Sequence, residues 1–142
     1  MFRYLITKGG NISSYLISLL LTLPIILLSL SVHEASHAWM ANKLGDPTAR
    51  NLGRLTLNPF KHLDLVGFIC MLLFGFGWAN PVPVNSRYFK KPRRDMALTA
   101  AAGPLSNIVL GFIFVSLYEI SYLLTVRLFP SVAASAPMGI YV

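Results

Sequence analysis

The sequence predicts an all-α, polytopic membrane protein with about three transmembrane or re-entrant segments joined by short extended connectors. The 142 residues are 55% hydrophobic and only 12% charged, whereas a soluble domain carries about 25% charged residues. The charged residues stand between long uncharged stretches, as they do in the loops of membrane proteins. A chain of this length corresponds to one domain.

The net charge of +7 limits the kinds of partner that the chain can have. Nucleic-acid-binding proteins present their basic residues on a polar, solvated face, but here most basic residues flank apolar stretches. We therefore expect the lipid bilayer, with its anionic headgroups, as a partner, and no nucleic acid. The single cysteine, Cys70, lies inside an apolar stretch and excludes an internal disulfide or a cysteine-based zinc cluster.

The first apolar segment, residues 12–32, contains no charged residue. As a helix it would be about 31 Å long, which matches the hydrocarbon thickness of a bilayer. Pro24 is expected to kink this helix. The helical pattern continues to Leu44, and Gly45 is the expected C-cap. Trp39 places the C-terminal end of the helix near a membrane interface.

Two more apolar segments follow, and they differ in length. Residues 65–78 are short for a membrane crossing and contain three glycines, so a tilted span and a re-entrant segment both fit. Residues 96–118 carry no charge, and the small residues 100–103 near their start allow close helix contact. Glu119 interrupts the pattern, which then resumes as far as Val126.

The connectors between these segments have less regular patterns. Residues 51–58 show a weak strand-like alternation, and residues 86–95 are strongly basic and fit a solvated loop beside the membrane. Residues 79–85 contain Pro81 and Pro83, so they are expected to be extended. Residues 80–85 either lie beside the cleft and bind substrate backbone by strand addition or are a rigid connector.

Three residues of the first predicted helix are candidates for a catalytic metal site: His33, Glu34 and His37. Two histidines four positions apart lie on one helix face and can hold one metal ion, and the glutamate can act as a base toward metal-activated water. Because unpartnered ionisable residues are costly in hydrocarbon, a metal site is favoured over a set of helix–helix hydrogen bonds. Imidazole ligands make zinc the first choice, with other first-row metals left open.

Six sequence blocks occur in a fixed order. They are His33-Glu-Ala-Ser-His37, Gly45-Asp-Pro-Thr48, Gly53-Arg-Leu-Thr-Leu-Asn-Pro59, His62-Leu-Asp64, Trp78-Ala-Asn-Pro-Val-Pro-Val84 and Ala102-Gly-Pro-Leu-Ser-Asn107. Together they resemble the site-2 protease family (peptidase M50), in particular its short prokaryotic members without a PDZ domain. The resemblance extends from about Leu30 to Leu110.

This resemblance implies a zinc-dependent intramembrane endopeptidase of the regulated intramembrane proteolysis type, multi-pass in the prokaryotic cell membrane, that acts on a membrane-protein substrate. It further implies that His33 and His37 are zinc ligands and that Glu34 is the catalytic base. Gly103 and Asn107 match the Gly-x-x-x-Asn motif of the family. The role expected of Asn107 is to donate a hydrogen bond to the substrate carbonyl or oxyanion.

The family takes its third metal ligand from an Asp-Gly motif, and this chain has no Asp-Gly pair. We therefore expect residues 1–142 to be a single metalloprotease domain that lacks its C-terminal segment. Alternatively, Asp64 with His62 reaches the metal, or Glu119 or a second chain supplies the ligand. His62 and Asp64 are otherwise expected to cap the second segment or to orient a ligand. A non-catalytic fragment or remnant of the fold with an incomplete metal site also remains open.

Overall fold

The computed structural model describes residues 12–130, and all regular elements in that range are helical. Four α-helices follow one another: α1 Ile12–Lys43, α2 Thr48–Asn51, α3 Leu65–Phe74 and α4 Pro92–Leu128. Two short 3-10 turns, Pro59–Lys61 and Ser86–Tyr88, lie between them. The only sheet-type pairing in the described range is an isolated antiparallel bridge between Leu63 and Ala79. The all-α prediction is thus confirmed for these residues, and residues 1–11 and 131–142 lie outside them.

Helices α1 and α4 are long and apolar enough to cross a membrane. With 32 and 37 residues, they are about 48 and 56 Å long, compared with about 30 Å of hydrocarbon. Their most apolar windows are only 6% and 0% buried within the protein, whereas the core helix of a soluble protein is mostly buried. Helix α3 has 10 residues, so it is shorter than a crossing, and a third membrane segment stays a prediction.

The chain divides into two compact units, Met1–Asn107 and Ile108–Val142. All the candidate site residues described below belong to the first unit. Helix α4 is continuous through Glu119, which is exposed on it. Glu119 thus interrupts the uncharged pattern but not the helix, because a single exposed glutamate is compatible with helical geometry.

The turn after α1 is fixed by a glycine and a buried carboxylate. Gly45 adopts a φ of 109°, as its predicted C-cap role requires. The buried side chain of Asp46 accepts hydrogen bonds from the backbone N–H of Thr48 at 2.9 Å and from its hydroxyl. It also accepts a 2.6 Å hydrogen bond from the N–H of Asn85. Asp46 therefore ties the end of α1 to the connector that precedes α4.

Helix α3 and the chain that follows it run side by side. Asp64 caps the helix by accepting a hydrogen bond from the N–H of Gly67 at 2.8 Å, which confirms its expected capping role. Gly75 ends the helix in the left-handed region, with a φ of 81°. The chain then returns so closely past Gly67 that a Cβ atom there would overlap the backbone of Trp78.

Of the two connector predictions, the absence of helix in residues 79–85 is confirmed, and the strand-like pattern of residues 51–58 is wrong. Residues 79–85 contain no helix and lead to Asn85 in an extended conformation. Residues 51–58 form no strand, because α2 continues through Asn51 and Gly53 then turns the chain with a φ of 66°. Asn58 caps the following 3-10 turn by accepting a hydrogen bond from the N–H of Phe60 at 3.0 Å.

Candidate metal centre

The side chains of His33 and His37, one turn apart on α1, converge on one point. Their Nε2 atoms are 3.1 Å apart, and the ring planes are nearly perpendicular at 84°. Two nitrogen ligands of a tetrahedral zinc ion, each about 2.0–2.1 Å from the metal, are separated by about 3.3 Å. The observed separation therefore fits two imidazoles that share one metal ion.

Helix α4 fixes the orientation of the His37 ring. Nδ1 of His37 donates a hydrogen bond to the backbone carbonyl of Thr99 at 2.7 Å. The hydroxyl of Thr99 in turn donates to the carbonyl of Asp95 at 2.8 Å, and Thr99 is only 2% exposed. An imidazole that carries its proton on Nδ1 has a free lone pair on Nε2. His37 is thus held in the tautomer that can bind a metal ion from the side that faces His33.

Asn107 contacts the other ring. Its Nδ2 lies 3.2 Å from Nδ1 of His33, while its Oδ1 is buried without a hydrogen-bond partner among residues 12–130. A half-turn of the amide exchanges these two atoms, so that Nδ1 of His33 donates to Oδ1 and Nε2 keeps a free lone pair. The amide of Asn107 is therefore placed to orient His33 as the Thr99 carbonyl orients His37. Its predicted role at the oxyanion stays a prediction.

At Gly103, α4 passes so close to the histidine pair that a side chain has no room there. A Cβ atom built at this residue would lie closest to Nε2 of His37, 2.6 Å from Cε1 of the same ring and 2.7 Å from Nε2 of His33. Both separations are well below the van der Waals contact distance. The absence of a side chain at residue 103 therefore permits the approach, and the predicted close contact of the small residues 100–103 is confirmed at this position.

Glu34 lies beside the histidines, and one oxygen of its carboxylate is hydrogen-bonded. Its side chain is 8% exposed, and Oε2 accepts a 3.1 Å hydrogen bond from the backbone N–H of Val82. No group in residues 12–130 donates to Oε1. The extended connector between α3 and α4 therefore fixes the carboxylate and leaves one of its oxygens available.

A cleft of about 560 Å³ opens beside these groups. Its lining combines His33, Glu34, Asn107 and Ala79 with four residues of α1, namely Ile25, Ile26, Ser29 and Leu30. Three of the four predicted site residues thus face one largely apolar cleft. His37, the fourth, contacts His33 from the next turn of α1 and is not part of the lining.

No third ligand stands beside the two histidines in the described part of the chain. Among residues 12–130, no group of three His, Cys, Asp or Glu side chains is arranged to hold a metal ion. Asp64 caps α3, and the buried His62 donates from Nε2 to the carbonyl of Thr56 at 2.9 Å. The structure therefore does not bring His62 or Asp64 to the histidine pair, and the recruitment of Glu119, which lies in the second unit, stays a prediction.

Two groups of this candidate centre were not predicted from the sequence: the carbonyl of Thr99 and the N–H of Val82. Both are backbone groups, and any residue type would present the same atoms at these positions. No motif could have identified them. Only the packing of α4 and of the extended connector against α1 shows which backbone groups meet His37 and Glu34.

Two curated bacterial proteins are similar to this chain. "Putative zinc metalloprotease YwhC" of Bacillus subtilis is 56% identical over 88 residues, which are 62% of this chain and 40% of that protein. "Putative zinc metalloprotease Rip2" of Mycolicibacterium smegmatis is 31% identical over 96 residues, which are 64% of this chain and 37% of that protein. The chain thus spans about two fifths of the length of these relatives. No protein-family model and no solved structure matches the chain.

Proposed function

We propose that this chain carries the metal-binding and proton-transfer centre of an intramembrane zinc endopeptidase, a multi-pass protein of the prokaryotic cell membrane that cleaves a membrane-protein substrate. The observation that carries the proposal is the convergence of the His33 and His37 Nε2 atoms at 3.1 Å, beside Glu34 in the cleft. The names of the two relatives support zinc-dependent proteolysis. The length and exposure of α1 and α4 support a membrane setting.

His33 and His37 are the residues that would hold the zinc ion. When bound, the ion would polarise the scissile carbonyl and the attacking water as a Lewis acid. The Thr99 carbonyl and the Asn107 amide keep the two rings facing one point, which is how groups around a metal site hold its ligands in place. Catalytic zinc usually has three protein ligands, so one further ligand is expected to join the pair.

Glu34 is the proposed general base and acid. It would take a proton from the attacking water and deliver that proton to the nitrogen of the departing amine. The N–H of Val82 holds Oε2, and Oε1 is the oxygen available for this transfer. Asn107 lines the same cleft, and its Nδ2, once turned away from His33, is the proposed donor to the substrate carbonyl or oxyanion.

The test is Glu34→Gln in the full gene product, assayed for cleavage of a membrane-embedded substrate and for bound zinc. Because general acid–base catalysis contributes about 10²–10⁴-fold, cleavage should fall by at least a hundredfold while bound zinc stays at the wild-type level. The matched control is Glu119→Gln, the same chemical change at an exposed position on α4, and it should change neither readout. Undiminished cleavage by the Glu34→Gln protein would refute the assignment.

A further inference from the structure

A second cavity, of about 270 Å³, lies where the end of α1 meets the beginning of α4. Its lining contains one basic residue from the end of α1, two that directly precede α4 and one in the first turn of α4. These four residues, Lys43, Lys90, Lys91 and Arg94, define what is called the basic pocket below. Leu44 and Asp95 complete the lining.

The protein offsets only part of the positive charge of the basic pocket, because four cations face one carboxylate. Asp95, the one acidic residue in the lining, is 5% exposed, and its Oδ2 accepts a 2.9 Å hydrogen bond from the N–H of Lys91. None of the four cations forms an ion pair within residues 12–130. Four exposed cations thus surround the cavity, and the carboxylate of Asp95 in its lining is hydrogen-bonded to the backbone just before α4. This arrangement favours an anionic ligand.

The position of Lys43 places the pocket near the level of the lipid headgroups. Its Nζ lies 4.7 Å from the ring centroid of Trp39, and half of the Trp39 side chain is exposed. Exposed tryptophans at the ends of membrane helices lie in the interfacial region. On the other wall of the pocket, the uncharged part of α4 begins at Met96, directly after Asp95.

We propose that the basic pocket binds the phosphate group of an anionic phospholipid. Basic pockets between membrane helices on the headgroup side are suited to such ligands. The acyl chains would lie along the exposed apolar side chains of α1, which free inorganic phosphate could not use. The inference rests on the membrane setting proposed above but not on catalysis, so its test measures binding alone.

The test compares two double variants of the full chain that each lose two positive charges. Lys43→Gln with Arg94→Gln removes one cation from each wall of the basic pocket. Arg50→Gln with Lys61→Gln makes the same charge change at exposed positions outside the pocket. The purified proteins, in neutral detergent, are titrated with dihexanoyl phosphatidylglycerol, dihexanoyl phosphatidylcholine and inorganic phosphate, and binding is followed by calorimetry.

The wild type and the outside-pocket variant should bind phosphatidylglycerol equally, and more tightly than phosphatidylcholine. The pocket variant should bind phosphatidylglycerol about thirtyfold more weakly. Equal weakening in both variants would mean non-specific attraction and overturn the proposal, as would an unchanged pocket variant. Inorganic phosphate that binds as tightly as phosphatidylglycerol would also overturn it, since the ligand would then be a free anion.

A second pair within the pocket protects the test against a folding defect. Lys90→Gln with Lys91→Gln alters exposed side chains that precede α4, and it should weaken phosphatidylglycerol binding to a similar extent. Thermal melting of each variant checks that the fold is intact. Loss of binding in the first pocket variant alone, together with a lowered melting temperature, would count against the proposal.

Discussion

Replacement of Gly103 by alanine adds one methyl group beside the histidine pair and so tests the geometry of the candidate metal centre. The added carbon would lie 2.6 Å from Cε1 of His37 and 2.7 Å from Nε2 of His33. Favourable contacts of this kind occur at about 3.5 Å or more, so the methyl group overlaps both rings by at least about 0.8 Å, and the overlap is largest at Nε2 of His37, the nearest atom. Relief requires that α4 move away or that the rings turn away from each other.

The size of the effect follows from that overlap. Overpacking of a well-packed site costs about 1–3 kcal/mol. If the rings move to release this strain, the same free energy is lost from metal binding, which corresponds to zinc binding about 5- to 150-fold weaker. If α4 moves instead, the Thr99 carbonyl moves away from His37, which also weakens the hold on a metal ligand.

The assay is competition for zinc between the purified protein and a chromogenic chelator. The matched control is Gly111→Ala, the same substitution further along α4, where an added Cβ meets nothing within 4 Å. This control should leave zinc affinity unchanged and gain up to about 1 kcal/mol of helix stability. The reasoning would be refuted if the Gly103→Ala protein bound zinc as tightly as the wild type, or if both variants lost affinity equally.

Two further predictions concern stability away from the metal centre. Burial of the Asp46 carboxyl opposes its ionisation, but hydrogen bonds from the Thr48 side chain and from the N–H groups of Asn85 and Thr48 hold its pKa below the usual 3.8. The ionised Asp46 therefore stabilises the folded protein fully above pH 3.8, and this stabilisation is lost as the pH falls through the lower pKa of the folded state. Between about pH 6 and 2, the melting temperature should therefore fall more steeply for the wild type than for Asp46→Asn. Equal slopes would contradict this. Gly67→Ala should destabilise the protein by about 1–3 kcal/mol, since its Cβ would overlap the Trp78 backbone; an unchanged denaturant midpoint would exclude the close packing.

The meeting of the two histidines was predictable because it depends only on the periodicity of the α-helix. Residues four apart on a helix share a face, so the meeting of His33 and His37 follows once α1 is recognised as a helix. The C-terminal end of that helix was also predictable from the sequence, because Gly45 is suited to the left-handed conformation found there. Asp64 could be placed as a cap for the same kind of local reason.

The sequence was less informative where structure depends on distant packing or on weak local preference. The alternation in residues 51–58 suggested a strand, but residues 12–130 offer no neighbouring strand, and Gly53 turns the chain instead. The partners of His37 and Glu34 come from residues 62 and 48 positions further along the chain. Local patterns carry no information about contacts at such separations, and the groups involved belong to the backbone.

The hydrogen bond from Val82 to Glu34 has a consequence for conformational entropy. A free glutamate side chain samples many rotamers, and fixing it costs up to about 1.5–2 kcal/mol. Because the Val82 N–H holds Oε2 in the folded chain, most of this cost is met once, when the protein folds. The carboxylate is therefore already ordered before any molecule enters the cleft.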